Sequence, residues 1–193
     1  MDFNFSKITN AKTRSISAEN FTGEKGNGRM STDGPARGCA RELGQKWKLS
    51  PAIVIKKDTT FTLADIEGNG MIKHIWMTPS NVIGRFAIIR MYWDNSEVPS
   101  VECPVGDFFC SPTLPDFYPV SSVPVCVNPR NGLNCYWDMP FRKNAKITIQ
   151  AIGWRSGGRY LPLREDISSV AFWYQDKPAT KSFLQPRDEL EII

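Results

Sequence analysis

The stretch Thr62-Leu-Ala-Asp-Ile-Glu-Gly-Asn-Gly-Met-Ile-Lys-His-Ile-Trp-Met-Thr78 decides the fold class of this chain. It reads as two β-strands joined by a tight Gly68-Asn69-Gly70 turn, with Asn69 and Gly70 supplying the positive φ angles of a hairpin. In the second arm Ile72, His74 and Trp76 alternate with Met71, Lys73, Ile75 and Met77, so the two sets are expected on opposite faces. One set is apolar except for Lys73; the other places the only histidine between Ile72 and a tryptophan. Two readings follow. Either this is a core hairpin with a neutral, hydrogen-bonded His74, or Trp76 faces a sugar with His74 beside it.

Working outward, the rest of the chain is strand after strand. Ala52–Lys56, Thr60–Ile66, Met71–Met77, Phe86–Trp93, Val101–Val105, Val123–Val127, Cys135–Met139, Ala145–Ala151 and Ser169–Gln175 are short, β-branched or aromatic runs. Long connections at Cys110–Val123 and Trp154–Asp166 suit Greek-key crossings rather than a meander. The expectation is all-β: one jelly-roll sandwich spanning residues 1–193. Asp33, Pro35 and Gly44 bracket one short helix over Pro35–Leu43. Residues 1–32 are polar and glycine-punctuated. Their Gly23-Glu-Lys-Gly-Asn-Gly28 run fits neither a dinucleotide nor a P-loop spacing and reads as a mobile loop. Residues 176–193 read as an extended tail.

Composition narrows the function classes. The 193 residues are 41% apolar and 23% charged, enough to bury a core. The net charge of +4 is scattered with no block of like charges, so nucleic acid is not an expected partner. No apolar run reaches membrane-spanning length, and the N-terminal residues lack a signal-peptide pattern. Five cysteines (Cys39, Cys103, Cys110, Cys126 and Cys135) without a Cys-x-x-Cys pair, and a single histidine, suggest reduced thiols in a cytoplasmic protein. No metal site or cofactor is expected.

Four segments, in order, carry a family resemblance: Ser15-Ile-Ser-Ala-Glu-Asn20, Ala40-Arg-Glu-Leu-Gly-Gln45, Ala64 to Thr78, and Tyr92-Trp-Asp94 followed by Pro99-Ser-Val-Glu-Cys-Pro-Val-Gly-Asp-Phe-Phe109. Together they resemble glycoside hydrolase family 172, formerly domain of unknown function 2961. That resemblance implies two tandem jelly rolls, assembly as trimers, and action on fructofuranosides and arabinofuranosides. Residues 1–143 resemble the family's first jelly roll, whereas 147–193 resemble its C-terminal end. The chain passes from one repeat to the matching strands of the other, so one jelly roll is expected to close with the second repeat's last strands.

The family's two catalytic glutamates are expected in that missing middle, in Gly-Glu-Gly-Glu-like and Gly-Thr-Glu-Asp-Tyr-like motifs. Neither motif occurs here. The resemblance therefore implies no catalytic residues, and a substrate-binding set of Glu19, His74, Trp76 and Asp107. A retaining glycosidase needs two carboxyl groups about 5 Å apart. The acids that remain are Glu19, Glu24, Asp65, Glu67, Glu102 and Asp107, and strand parity gives no cross-strand distance among them. Asp107 either lines a ligand pocket or closes a strand-end turn above Phe108 and Phe109. Serine-type catalysis would have to use His74, and no nucleophile elbow accompanies it. Three functions stay open: an inactive, carbohydrate-binding derivative; an enzyme whose site is rebuilt at a subunit interface; or a structural trimeric jelly roll.

Overall fold

The structure is a computed structural model. It describes residues 10–40, 42–43, 46–47, 49–79, 85–112, 118–152 and the paired backbone of 155–156, 159–160 and 166–176. The extended tail expected beyond Asp176 lies outside the described residues, as does part of each long connection.

The elements run β1 (Lys12–Ser17), α1 (Arg37–Ala40), β2 (Ile53–Val54), β3 (Thr60–Glu67), β4 (Gly70–Pro79), β5 (Ala87–Trp93) and β6 (Val101–Pro104). They continue with α2 (Val105–Phe108), β7 (Val120–Ser121), β8 (Val125–Asn128), β9 (Gly132–Cys135), β10 (Met139–Phe141), β11 (Asn144–Ala151), β12 (Arg155–Ser156), β13 (Arg159–Tyr160) and β14 (Asp166–Asp176). A large sheet has the order β1-β14-β4-β9-β8-β7, and a small one β3-β11-β5-β6. Both are antiparallel, and they face each other across one core of alternate side chains. This is the expected jelly roll, with the two late strands β11 and β14 inserted into the middle of each sheet.

That insertion corrects the Gly68-Asn69-Gly70 hairpin. The strands β3 and β4 do not pair; they belong to opposite sheets. Gly68, rather than Asn69 or Gly70, takes the left-handed conformation (φ 94°), and its N–H reaches Lys143 O at 2.8 Å. The turn is an arch across the sandwich. Both arms have apolar sides to bury, Leu63, Ala64 and Ile66 on one and Ile72, Ile75 and Met77 on the other, and an arch buries them against each other.

The alternation along β4 is also interrupted. Trp173 pairs with His74 and Tyr174 with Ile72, which leaves Lys73 as an extra residue in a bulge. Ile72 is consequently fully buried with Ile75 and Met77, and does not share a face with His74 and Trp76. Lys73, which spoiled an otherwise apolar set, leaves that set and pairs with Asp138.

Two further segments differ from their sequence reading. Cys135–Met139 is not one strand. β9 pairs with Ile75–Met77 and β10 with Gly70–Ile72, so the chain must step along β4 between them. Residues 12–17, within the stretch read as polar loop, form β1, which among the described residues pairs with β14 and buries only Ile16 of its own residues. The helix over Pro35–Leu43 is observed as the single turn α1, and Val105 begins the turn α2 instead of ending a strand. Central placement of β4 holds: β14 flanks one side, β9 and β10 the other.

Candidate functional site

Ser17, Ala171, Trp76, Asn134 and Cys126 stand in register across β1, β14, β4, β9 and β8 of the large sheet, with Trp76 on its outer face. Trp76 is half-buried in this row. After Ser17 the chain turns through reciprocal backbone bonds between Ser17 and Asn20, at 3.1 and 2.9 Å. The following loop is internally bonded rather than featureless. Asn20 Nδ2 donates to Glu24 O at 3.0 Å, Thr22 Oγ1 to Asn20 Oδ1 at 3.2 Å, and Gly23 N to Asn20 O at 3.4 Å.

Strand β1, this turn and the loop through Arg29 border an open cleft of about 830 Å³, with Trp76 in its wall. That volume suits a small ligand such as a mono- or disaccharide. Glu19 lines the cleft, and its Oε1 accepts the Ser50 N–H at 2.7 Å. The Ser50 segment is itself clamped. Gly34 packs where a Cβ would lie 2.4 Å from Leu49 O, and Ala36 N donates to that carbonyl at 2.9 Å.

His74 lies two residues from Trp76 on the same side of β4 but is not part of the cleft wall. It stacks on Tyr136, with ring centroids 4.3 Å apart and planes within 5°. Its Nε2 lies 3.1 Å from Asn134 Oδ1. The Asn134 amide has one sensible orientation, because Nδ2 donates to Gly132 O at 3.1 Å and to Cys126 O at 3.4 Å. Oδ1 is therefore the acceptor, His74 donates through Nε2, and the Tyr136 hydroxyl donates to the same oxygen at 3.5 Å. Burial pushes the His74 imidazole below its ordinary value and outweighs the opposing hydrogen bond to Asn134, so the ring is neutral at pH 7.

A stability consequence follows. A base with a depressed folded-state pKa lets the unfolded chain take up the proton first. Stability from neutral His74 is thus complete above about 6.5, the unfolded value, and declines as pH falls toward the lower folded value. Thermal melts at pH 8 and pH 5.5 are expected to show a larger drop for the wild type than for His74→Gln. Identical drops would refute this account.

Asp107 sits elsewhere, on α2 beside the small sheet, outside the cleft wall. Its Oδ1 takes a 2.8 Å ion pair from Arg85, while Oδ2 is buried without a hydrogen-bond partner among the described residues. Of the six candidate acids, Glu19 and Glu24 alone are brought to the cleft. Asp65 accepts from Asn144 Nδ2 at 2.8 Å, and Glu102 pairs with Arg90 at 2.5 Å, both on the small sheet. The structure so joins Glu19 and Trp76, sets His74 beside them, and separates Asp107.

Sequence reasoning missed Asn134, Tyr136 and the β1 side of the cleft. The alternation Gly132-Leu-Asn-Cys135 was the available signal for Asn134, since a buried polar position in an apolar strand demands partners.

Among the described residues four cysteines are free thiols; burial pushes Cys135 up to about 11, which makes it unreactive. No helix among them is long and apolar enough to cross a membrane. A family model described as GH172 domain-like matches residues 47–157, more than half of the chain. Curated proteins include no match.

Proposed function

The chain belongs to the GH172 domain-like family, and on that basis we propose that it is a carbohydrate-binding relative of the family's furanosidases, holding a furanoside without hydrolysing it. The observation that carries the reading is Trp76 in the wall of the cleft beside β1. An indole face offers an apolar platform for the C–H side of a sugar ring, and the nearby hydroxyls of Ser15 and Ser17 offer partners for its hydroxyl groups. Glu19 spends Oε1 on Ser50, which orients the carboxylate and leaves Oε2 for a sugar hydroxyl. His74 and Asn134 brace the strand rather than touch the ligand.

The absence of both catalytic motifs supports binding without turnover. Losing an acid/base group costs about 10²–10⁴ in rate, and losing the nucleophile removes the covalent route. Incubation with aryl fructofuranosides and arabinofuranosides is expected to release no product, alongside measurable binding of the methyl furanosides by calorimetry. Hydrolysis on the order of 1 s⁻¹ that Glu19→Gln or Glu24→Gln abolishes would show the two cleft carboxylates acting as a catalytic pair.

Self-association as a trimer belongs to the same proposal. Val123, Tyr136 and Trp137 are exposed around the β7–β8 turn, where Tyr136 N bonds Pro124 O at 2.7 Å, and exposed apolar surface of this kind favours a partner. Light scattering at tens of micromolar should report about three times the chain mass; a clean monomer would exclude it.

A further inference from the structure

One peptide group, the unit that joins Leu49 to Ser50, holds the carboxylate of Glu19. Its N–H donates to Glu19 Oε1 at 2.7 Å, and its carbonyl accepts from Ala36 N at 2.9 Å. A peptide unit is planar, so the direction of the carbonyl fixes the direction of the N–H on its opposite side. Gly34 lies against that same unit. A Cβ there would stand 2.4 Å from Leu49 O, 2.7 Å from Leu49 C and 2.7 Å from Ser50 Cα, three atoms of the one plane. The segment that presses on it is closed on itself: Arg37 N donates to Gly34 O at 3.0 Å, and Gly34 N to Asp33 Oδ1 at 2.8 Å. Leu49 is buried, which anchors the peptide from the other side.

We infer that Gly34 is a positioning residue of the cleft. Lacking a side chain, it lets segment 33–37 seat flush on the Leu49–Ser50 peptide and so aims the Ser50 N–H at Glu19, 31 residues away in the chain. The inference rests on the furanoside reading above and adds the residue that pre-orients its acceptor. In that reading Glu19 meets the ligand and Gly34 acts through it. Without the Ser50 bond the carboxylate would spread over its rotamers, and a ligand would have to order it on binding. A side chain at 34 must tilt the peptide, because all three atoms it meets are backbone.

Gly34→Ala tests this first without a ligand. In proton–nitrogen correlation spectra the Ser50 amide should shift upfield in Gly34→Ala, as it should in Glu19→Ala, since both lose the charge-assisted bond. An unmoved Ser50 amide in folded Gly34→Ala overturns the inference. Calorimetry with methyl arabinofuranoside then reads the coupling. Gly34→Ala and Glu19→Ala should each weaken binding about tenfold, the scale of one hydrogen bond to a charged group. The double variant should bind no more weakly than Glu19→Ala alone. Losses that multiply to about a hundredfold would show two independent effects and overturn the inference. If Gly34→Ala does not fold, the coupling is read from the other end. Glu19→Ala should shift the Ala36 amide across the shared peptide as well as that of Ser50, and an unmoved Ala36 overturns the inference. Wild-type protein that binds no furanoside removes the furanoside reading, and the amide shifts still decide whether Gly34 sets Glu19.

Discussion

Ile147→Ala is expected to destabilise the chain by about 2–5 kcal/mol, the range for emptying a fully buried isoleucine site. Ile147 is fully buried on β11, which separates β3 from β5 in the small sheet. It stands opposite Ala64 on one side and Met91 on the other, both also buried. A bulge between Ile147 and Thr148 pins the register at this point, so neighbouring side chains have little freedom to slide in and fill the space. Val98→Ala is the control: Val98 is 72% exposed, and its truncation should change stability by less than about 0.5 kcal/mol. Urea unfolding measures both, with a shift in midpoint and an unchanged slope for Ile147→Ala. A cost below about 1 kcal/mol would mean that β11 is not the centre of a packed sheet.

Trp76→Ala should weaken furanoside binding by about tenfold or more, because each 1.4 kcal/mol is a factor of ten. Apolar burial is worth about 25 cal/mol per Å², so an indole face covering a sugar ring readily reaches that figure. Trp76→Phe keeps a flat apolar face and should retain most of the affinity. The loss must be separated from unfolding. Trp76 is only half-buried, on the outer side of β4, whereas Ile75 and Met77 hold the core beneath it. Both variants should therefore remain folded in thermal melts. Unchanged affinity in folded Trp76→Ala would remove Trp76 from the site and the proposed function with it.

The strands were legible wherever alternation was clean. Thr60–Glu67, Ala87–Trp93 and Asn144–Ala151 lie within a residue or so of the segments read from the sequence, because each has one apolar side and turn residues at its ends. The family was legible too, from four motifs in order, and the family match covers the last two of them. Strand β1 was not legible. With only Ile16 buried, its pattern carries almost no signal, and β14, more than 150 residues away, makes it a strand.

What the sequence alone determined is the all-β class, the apolar character of β4 and the family. The tertiary structure decided that β3 and β4 arch between sheets, that a bulge at Lys73 moves Ile72 to the core, and that Glu19 and Trp76 line one cleft while Asp107 lies outside it. The division has one physical cause. Period-two alternation is a local property, written in residues two apart. Sheet assignment depends instead on which distant strand supplies the backbone partners. One inserted residue exchanges the two faces of everything beyond it, and only the partner strand reveals where that residue sits.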